Sequence, residues 1–94
     1  MVSRPHKGRH AKTYDAIFAE PVRANIRWED IEALFVALDA DISEGAGSRV
    51  RVRLGEQMAV FHRPHPEKEC SKGALKSVRR FLTDAGCNDD NADI

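Results

Sequence analysis

The segment His62-Arg63-Pro64-His65-Pro66 sets two imidazoles three residues apart, one of them between prolines. Imidazole titrates near neutral pH, so at a phosphodiester it can take a proton from a ribose 2′-hydroxyl or deliver one to the leaving oxygen. The flanking prolines fix the chain and with it the His65 ring. His65 is therefore the candidate catalytic residue, and His62 the reserve for a second acid or base. A metal site is not expected, because residues three apart on a strand point to opposite faces and no third ligand stands at a telling spacing. No cofactor is expected either: the chain has no P-loop, dinucleotide fingerprint, catalytic triad or zinc-knuckle pattern.

Two neighbouring segments supply cations. Arg49, Arg51 and Arg53 alternate with Val50, Val52 and Leu54, which predicts a half-buried strand with guanidinium groups on one face about 6–7 Å apart. That interval resembles the separation of phosphates along a nucleic-acid strand, and arginine grips phosphate through a planar fork. The second segment is Ser71-Lys72-Gly73-Ala74, a helix start whose free N–H groups and dipole suit an anion, with Lys72, Lys76, Arg79 and Arg80 continuing the positive surface. The candidate RNA contacts are thus Arg49, Arg51, Arg53, Arg63, Lys72 and Lys76.

The elements that must position these groups follow from periodicity. Residues 1–10 have no apolar period and read as a flexible basic arm. Ala11, Tyr14, Ile17 and Phe18 recur at helical spacing within Arg9 to Glu20, and Pro21 stops that helix. Asn25 is a candidate N-cap for a second helix, on which Trp28, Ile31, Leu34, Phe35 and Leu38 form one apolar stripe. A short strand is expected at Asp41-Ile42-Ser43, then the glycine turn Glu44 to Ser48, the arginine strand, a hairpin at Gly55-Glu56 and a return strand from Met58 to Arg63. Ser71 caps a last helix reaching Ala85, with Leu75, Val78, Leu82 and Ala85 inward and Gly86 as its stop. The order is helix, helix, two or three antiparallel strands, helix: an α+β domain. The polar tail 88–94 is expected to fray.

Ninety-four residues suffice for one domain with a single core. The longest apolar run, Ala33 to Leu38, is six residues, against the roughly 20 that span a bilayer, and no signal-peptide core follows the basic start, so a cytoplasmic location is expected. Cys70 and Cys87 then read as two reduced thiols. The net charge is zero, yet the charges are segregated: residues 13–44 hold eight acids against Arg23 and Arg27, whereas residues 45–82 hold nine Lys and Arg against three Glu. Such a basic segment can contact phosphate within a neutral total.

The stretch Pro64-His65-Pro66-Glu67-Lys68-Glu69-Cys70-Ser71-Lys72-Gly73-Ala74-Leu75 resembles the signature of HicA toxins, in which a proline-flanked histidine precedes by eight residues the glycine of a Gly-Thr-Leu helix start. His65 and Gly73 have that spacing. Gly47-Ser48-Arg49 is similar to the family's Gly-Ser-His entry to the first strand, with arginine in place of histidine, and Pro64 stands directly before His65 rather than one residue earlier. The resemblance covers about residues 25–87. It implies a double-stranded-RNA-binding-like α-β-β-β-α sandwich, here with an extra N-terminal helix, so that residues 1–24 form an arm and short helix, 25–87 the HicA-like domain and 88–94 a tail. It also implies a metal-independent endoribonuclease acting on mRNA as the toxin of a type II toxin-antitoxin system, with a HicB-like antitoxin as partner. Carried over by residue, His65 is the catalytic histidine, and Gly47, Ser48 and Gly73 are structural motif positions.

Two other readings fit the same residues. A non-catalytic RNA- or DNA-binding module would keep every basic feature and lose only the proton chemistry. A protein-binding adaptor using the acidic first half would have no salt-sensitive RNA affinity.

Overall fold

The strand with alternating arginines is the middle strand of the main sheet. In the computed structural model, which describes residues 2, 3, 5, 8–23, 25–64 and 68–88 (Val2, Ser3 and Asn88 by backbone alone), the elements are β1 (Val2–Ser3), α1 (Gly8–Ile17), α2 (Trp28–Ala37), β2 (Asp41–Glu44), β3 (Arg49–Leu54), β4 (Gln57–His62), α3 (Lys72–Asp84) and β5 (Cys87–Asn88). Strands β2, β3 and β4 form an antiparallel meander in that order. The α+β class and the α-β-β-β-α order with an added first helix are as expected.

Alternation decides the layers. Val50, Val52 and Leu54 are buried while Arg49, Arg51 and Arg53 are exposed, because successive side chains on a strand point to opposite faces. The buried face meets Trp28, Ile31, Leu34 and Phe35 of α2 and Leu75, Val78, Phe81 and Leu82 of α3 in one core. Its centre is aromatic. Phe35 lies 5.8 Å from Phe61 and 5.7 Å from Phe81, and Trp28 lies 5.7 Å from Phe61. These separations fall in the range favoured by stacked and edge-to-face rings. Helix α1 adds Tyr14 and Ile17 to the same core.

Local chemistry sets the element ends. Gly55 has φ 62° between the paired residues Leu54 and Gln57, the first position of a two-residue hairpin that asks for glycine. Helix α2 closes with Asp39 at φ 66°, where Ala40 N–H donates to the Phe35 carbonyl and Asp39 N–H to the Val36 carbonyl. That is a Schellman closure with aspartate where glycine is usual. Ser71 caps α3 by accepting from the Ala74 N–H at 3.1 Å.

Several boundaries differ from the sequence reading. Asn25 is exposed and does not cap α2; the N-cap is Arg27, without a side-chain bond. The reason is tertiary: the Trp28 N–H donates to the Lys68 carbonyl and Cys70 N–H to the Ile26 carbonyl, so a bridge between Arg27 and Glu69 satisfies the helix start instead. Helix α1 ends at Ile17 rather than Glu20, since Arg79 takes the carbonyls of Ile17 and Ala19 and the residue before Pro21 is disfavoured in helical geometry. Strand β4 begins and ends one residue earlier than expected.

The first ten residues are not simply an arm. Val2–Ser3 pairs in parallel with Cys87–Asn88, and α1 already begins at Gly8. A two-residue strand is too short to show a period, and its pairing is made by backbone, so no side-chain pattern announces it. Cys70 and Cys87 are buried free thiols, and burial pushes the Cys70 thiol up from its ordinary value. Of the expected frayed tail, residues 89–94 lie outside the described residues.

Candidate nucleic-acid interface

The outer face of the three-stranded sheet is uncovered and carries the arginine row. Register places Arg49 beside His62, Arg51 beside Val60 and Arg53 beside Met58 on one flank, and Ser43 beside Arg51 and Asp41 beside Arg53 on the other. Met58 and Val60 are 67% and 52% exposed, large apolar side chains left in solvent between cations. Among the described residues no ion pair engages Arg49, Arg51 or Arg53, so these guanidinium groups keep their donors open.

Arg49 and His62 are closer than register alone implies. The Arg63 N–H donates to the Ser48 carbonyl at 2.9 Å, which makes 48 and 63 a hydrogen-bonded pair. Arg49 and His62 then form the next, non-hydrogen-bonded pair, in which Cα atoms approach to about 4.5 Å and side chains are nearest. Gly47 has φ 63° and supplies the left-handed turn that delivers Ser48 and Arg49 to this end of the sheet. Of the two imidazole candidates, His62 is an exposed residue at the last position of β4, on the strand where it was expected, and His65 lies outside the described residues.

Arg63 differs from the sequence expectation of a phosphate contact. Its Nε donates to Glu32 at 2.5 Å, and its terminal nitrogens donate to Glu44 at 2.6 and 2.9 Å and to Glu32 at 3.2 Å. Glu32 also accepts from the Trp28 indole N–H. These bonds hold Glu44 below the usual carboxylate range and raise Arg63 further above its own. The guanidinium is thereby committed to two carboxylates. What it does instead is tie α2 and the end of β2 to the strand exit just ahead of Pro64 and His65. Nothing in the sequence marks this clasp, because its acids lie 31 and 19 positions from Arg63.

The cations of α3 divide likewise. Lys72 and Lys76 are exposed on its first two turns. Arg79 instead turns inward to hold the end of α1, bonding Ile17, Ala19 and Glu20. Gly73 has open space where a Cβ would stand, so packing does not require glycine there, although glycine within a helix costs about 1 kcal/mol relative to alanine. Among the described residues no three His, Cys, Asp or Glu side chains gather as metal ligands, and no helix is long and apolar enough to cross a membrane.

A three-stranded antiparallel meander with two helices packed on one side is the arrangement that the resemblance implied. The match to known proteins rests on a family model alone: no curated protein and no solved structure matches the chain. The model for the HicA toxin of bacterial toxin-antitoxin systems covers residues 28–87, from the first turn of α2 to the start of β5. The chain belongs to the HicA toxin family.

Proposed function

We propose that this toxin is a metal-independent endoribonuclease that cuts mRNA, with His65 as the proton-transfer residue and His62 as its partner. The observation that carries the reading is the exposed row Arg49, Arg51 and Arg53, without an ion pair among the described residues and ending beside His62, at the strand exit that runs on to His65. An RNA backbone on this face meets guanidinium groups at phosphate spacing. One imidazole accepts the 2′-hydroxyl proton, the 2′-oxygen attacks phosphorus, and the second imidazole protonates the departing 5′-oxygen, leaving a cyclic phosphate. Arg49 stands next to His62 and supplies the positive charge that a pentacovalent phosphate needs. Lys72 and Lys76 extend the backbone contact, and Gly73 lets it approach the helix start. Gly47 and Ser48 set the strand entry.

The working site would be kept silent by a HicB-like antitoxin in the cytoplasm. Within the chain, residues 25–87 are the HicA-like domain, 1–24 an extension whose helix packs against it, and 88–94 a tail. A second reading, nucleic-acid binding without cleavage, is favoured by one observation: position 49, where the family motif has histidine, holds arginine. The test is expression of the toxin without antitoxin, followed by assay of the purified protein on RNA with and without chelator. Growth arrest and chelator-resistant cleavage, both lost in His65→Ala with the melting temperature kept, are the expected results. Cleavage at near wild-type rate by His65→Ala moves the assignment to His62. Salt-sensitive RNA binding with no cleavage by the wild type replaces the nuclease by the binding module.

A further inference from the structure

Beside the strand exit lies a cleft of about 270 Å³ lined by Arg27, Trp28, Glu29, Arg63, Pro64 and Lys68. Pro64 and Lys68 are the described residues that immediately flank 65–67. The cleft therefore sits at both ends of the segment that holds the candidate catalytic histidine. Its floor is rigidly built. The Trp28 N–H donates to the Lys68 carbonyl at 2.9 Å, the indole N–H is bonded to Glu32, and Arg63 is clamped between Glu32 and Glu44.

The lining sorts by chemistry. Trp28 is 5% exposed, its ring packed on Phe35 and Phe61, so it offers the cleft an apolar edge beside the half-buried Pro64 ring, which is the flat surface for a heterocyclic base. Arg63 contributes its stem, since its guanidinium is occupied. Lys68 is exposed with no ion pair among the described residues. Arg27 is exposed and, among the described residues, is ion-paired only with the solvent-facing Glu29, at 3.2 Å, a pairing of the kind worth little in water and open to exchange for phosphate. Glu29 leaves one carboxylate at the mouth, an acceptor for a base amino group. An apolar floor, two exchangeable cations and one acceptor in this volume match a nucleotide.

We propose that this cleft is a nucleotide subsite: one residue of the RNA substrate seats its base on Pro64 beside the open edge of Trp28 and its phosphate on Lys68 and Arg27, and so contributes the sequence preference of the toxin. The proposal deepens the nuclease reading and rests on it for the identity of the ligand as RNA. Its test does not depend on cleavage. Trp28 is the only tryptophan of the chain, so its indole N–H resonance and its fluorescence report on this one place.

The experiment titrates the full chain with a short single-stranded RNA carrying 2′-O-methyl groups, which cannot be cut. The expected result is a saturable shift of the indole resonance with quenched fluorescence. Lys68→Ala should weaken that titration several-fold and lower its salt slope by about one, as for one lost phosphate contact. Base preference is read by comparing the four homo-oligonucleotides, and a difference of at least threefold among them is expected. RNA binding that moves resonances on β3 while leaving the indole unmoved overturns the subsite and leaves the nuclease reading standing. An indole that moves with RNA in a protein that never cuts overturns the nuclease and keeps the subsite. An indole that responds to antitoxin but not to RNA assigns the cleft to the antitoxin and overturns the proposal.

Discussion

Replacing Phe35 by alanine tests the aromatic centre that supports both faces of the interface. Phe35 is fully buried, its ring stacked on Phe61 of β4 at 5.8 Å and meeting Phe81 of α3 edge-on at 5.7 Å and Trp28 of α2 at 6.3 Å. Truncation of a buried phenylalanine costs about 3–5 kcal/mol, the upper end applying where the cavity cannot collapse. Three rings fixed by other elements surround this cavity, and each ring pair adds about 0.5–1.5 kcal/mol beyond area burial. A loss of about 4–5 kcal/mol is therefore expected. For a chain of this length the whole stability is on the order of 5–14 kcal/mol, so the variant should sit close to its unfolding threshold. The assay is urea unfolding, in which a slope of about 1–3 kcal/mol per molar turns this loss into a midpoint lower by about 1.3–5 M. Val36→Ala is the internal control: the next residue on the same helix is 62% exposed, and a change there should stay within about 0.5 kcal/mol. A Phe35→Ala loss below about 1 kcal/mol, or one equal to that of Val36→Ala, would refute the packing argument.

Three further outcomes are expected. Arg51→Ala, at the middle of the open arginine row, should weaken RNA binding across all sequences and lower the salt slope by about one; an unchanged slope in a folded variant removes Arg51 from the phosphate path. Asp39→Gly relieves a left-handed residue at the Schellman closure of α2 and should raise stability by up to about 1 kcal/mol, a prediction that fails if thermal melts show the variant less stable. Because the hydrogen bond from Arg63 depresses the Glu44 carboxyl below its ordinary 4.5, its stabilising contribution is complete above that pH and is lost as pH falls through the lower folded value. The stability gap between wild type and Glu44→Gln, measured by urea titration at several pH values, should therefore close on acidification, and a gap independent of pH between neutrality and about pH 3 would sink the clasp as an electrostatic device.

How much of this was legible from residues depends on the range of the interactions involved. Local periodicity carried the second helix, the arginine strand with its buried valines, and the last helix with its Ser71 cap and Gly86 stop, because helix and strand periods and caps are properties of neighbouring residues. The same locality made the open arginine face readable: once β3 is a strand with Val50 and Val52 inward, Arg49, Arg51 and Arg53 must face outward. The motif from His65 to Gly73 carried the family. Asn25 failed as a cap because the bond that satisfies Trp28 comes from Lys68, a partner that local sequence does not show.

What the tertiary structure decided are the interactions whose partners are far apart along the chain. Arg63 looks in sequence like one more cation beside the histidines, and only the approach of Glu32 on α2 and Glu44 on β2 converts it from a phosphate contact into the clasp of the strand exit. Arg79 likewise becomes the closure of α1 through carbonyls more than 60 positions away in the case of Ile17. The cleft on Trp28 exists because residues 26–28 and 68–70 are bridged, and the parallel backbone pairing of Val2–Ser3 with Cys87–Asn88 brings together segments far apart in sequence. Residue type and spacing determine which faces are apolar and which are charged; which charges are consumed within the fold and which stay open to a ligand depends on where the chain returns to itself, and that is set by packing of the core.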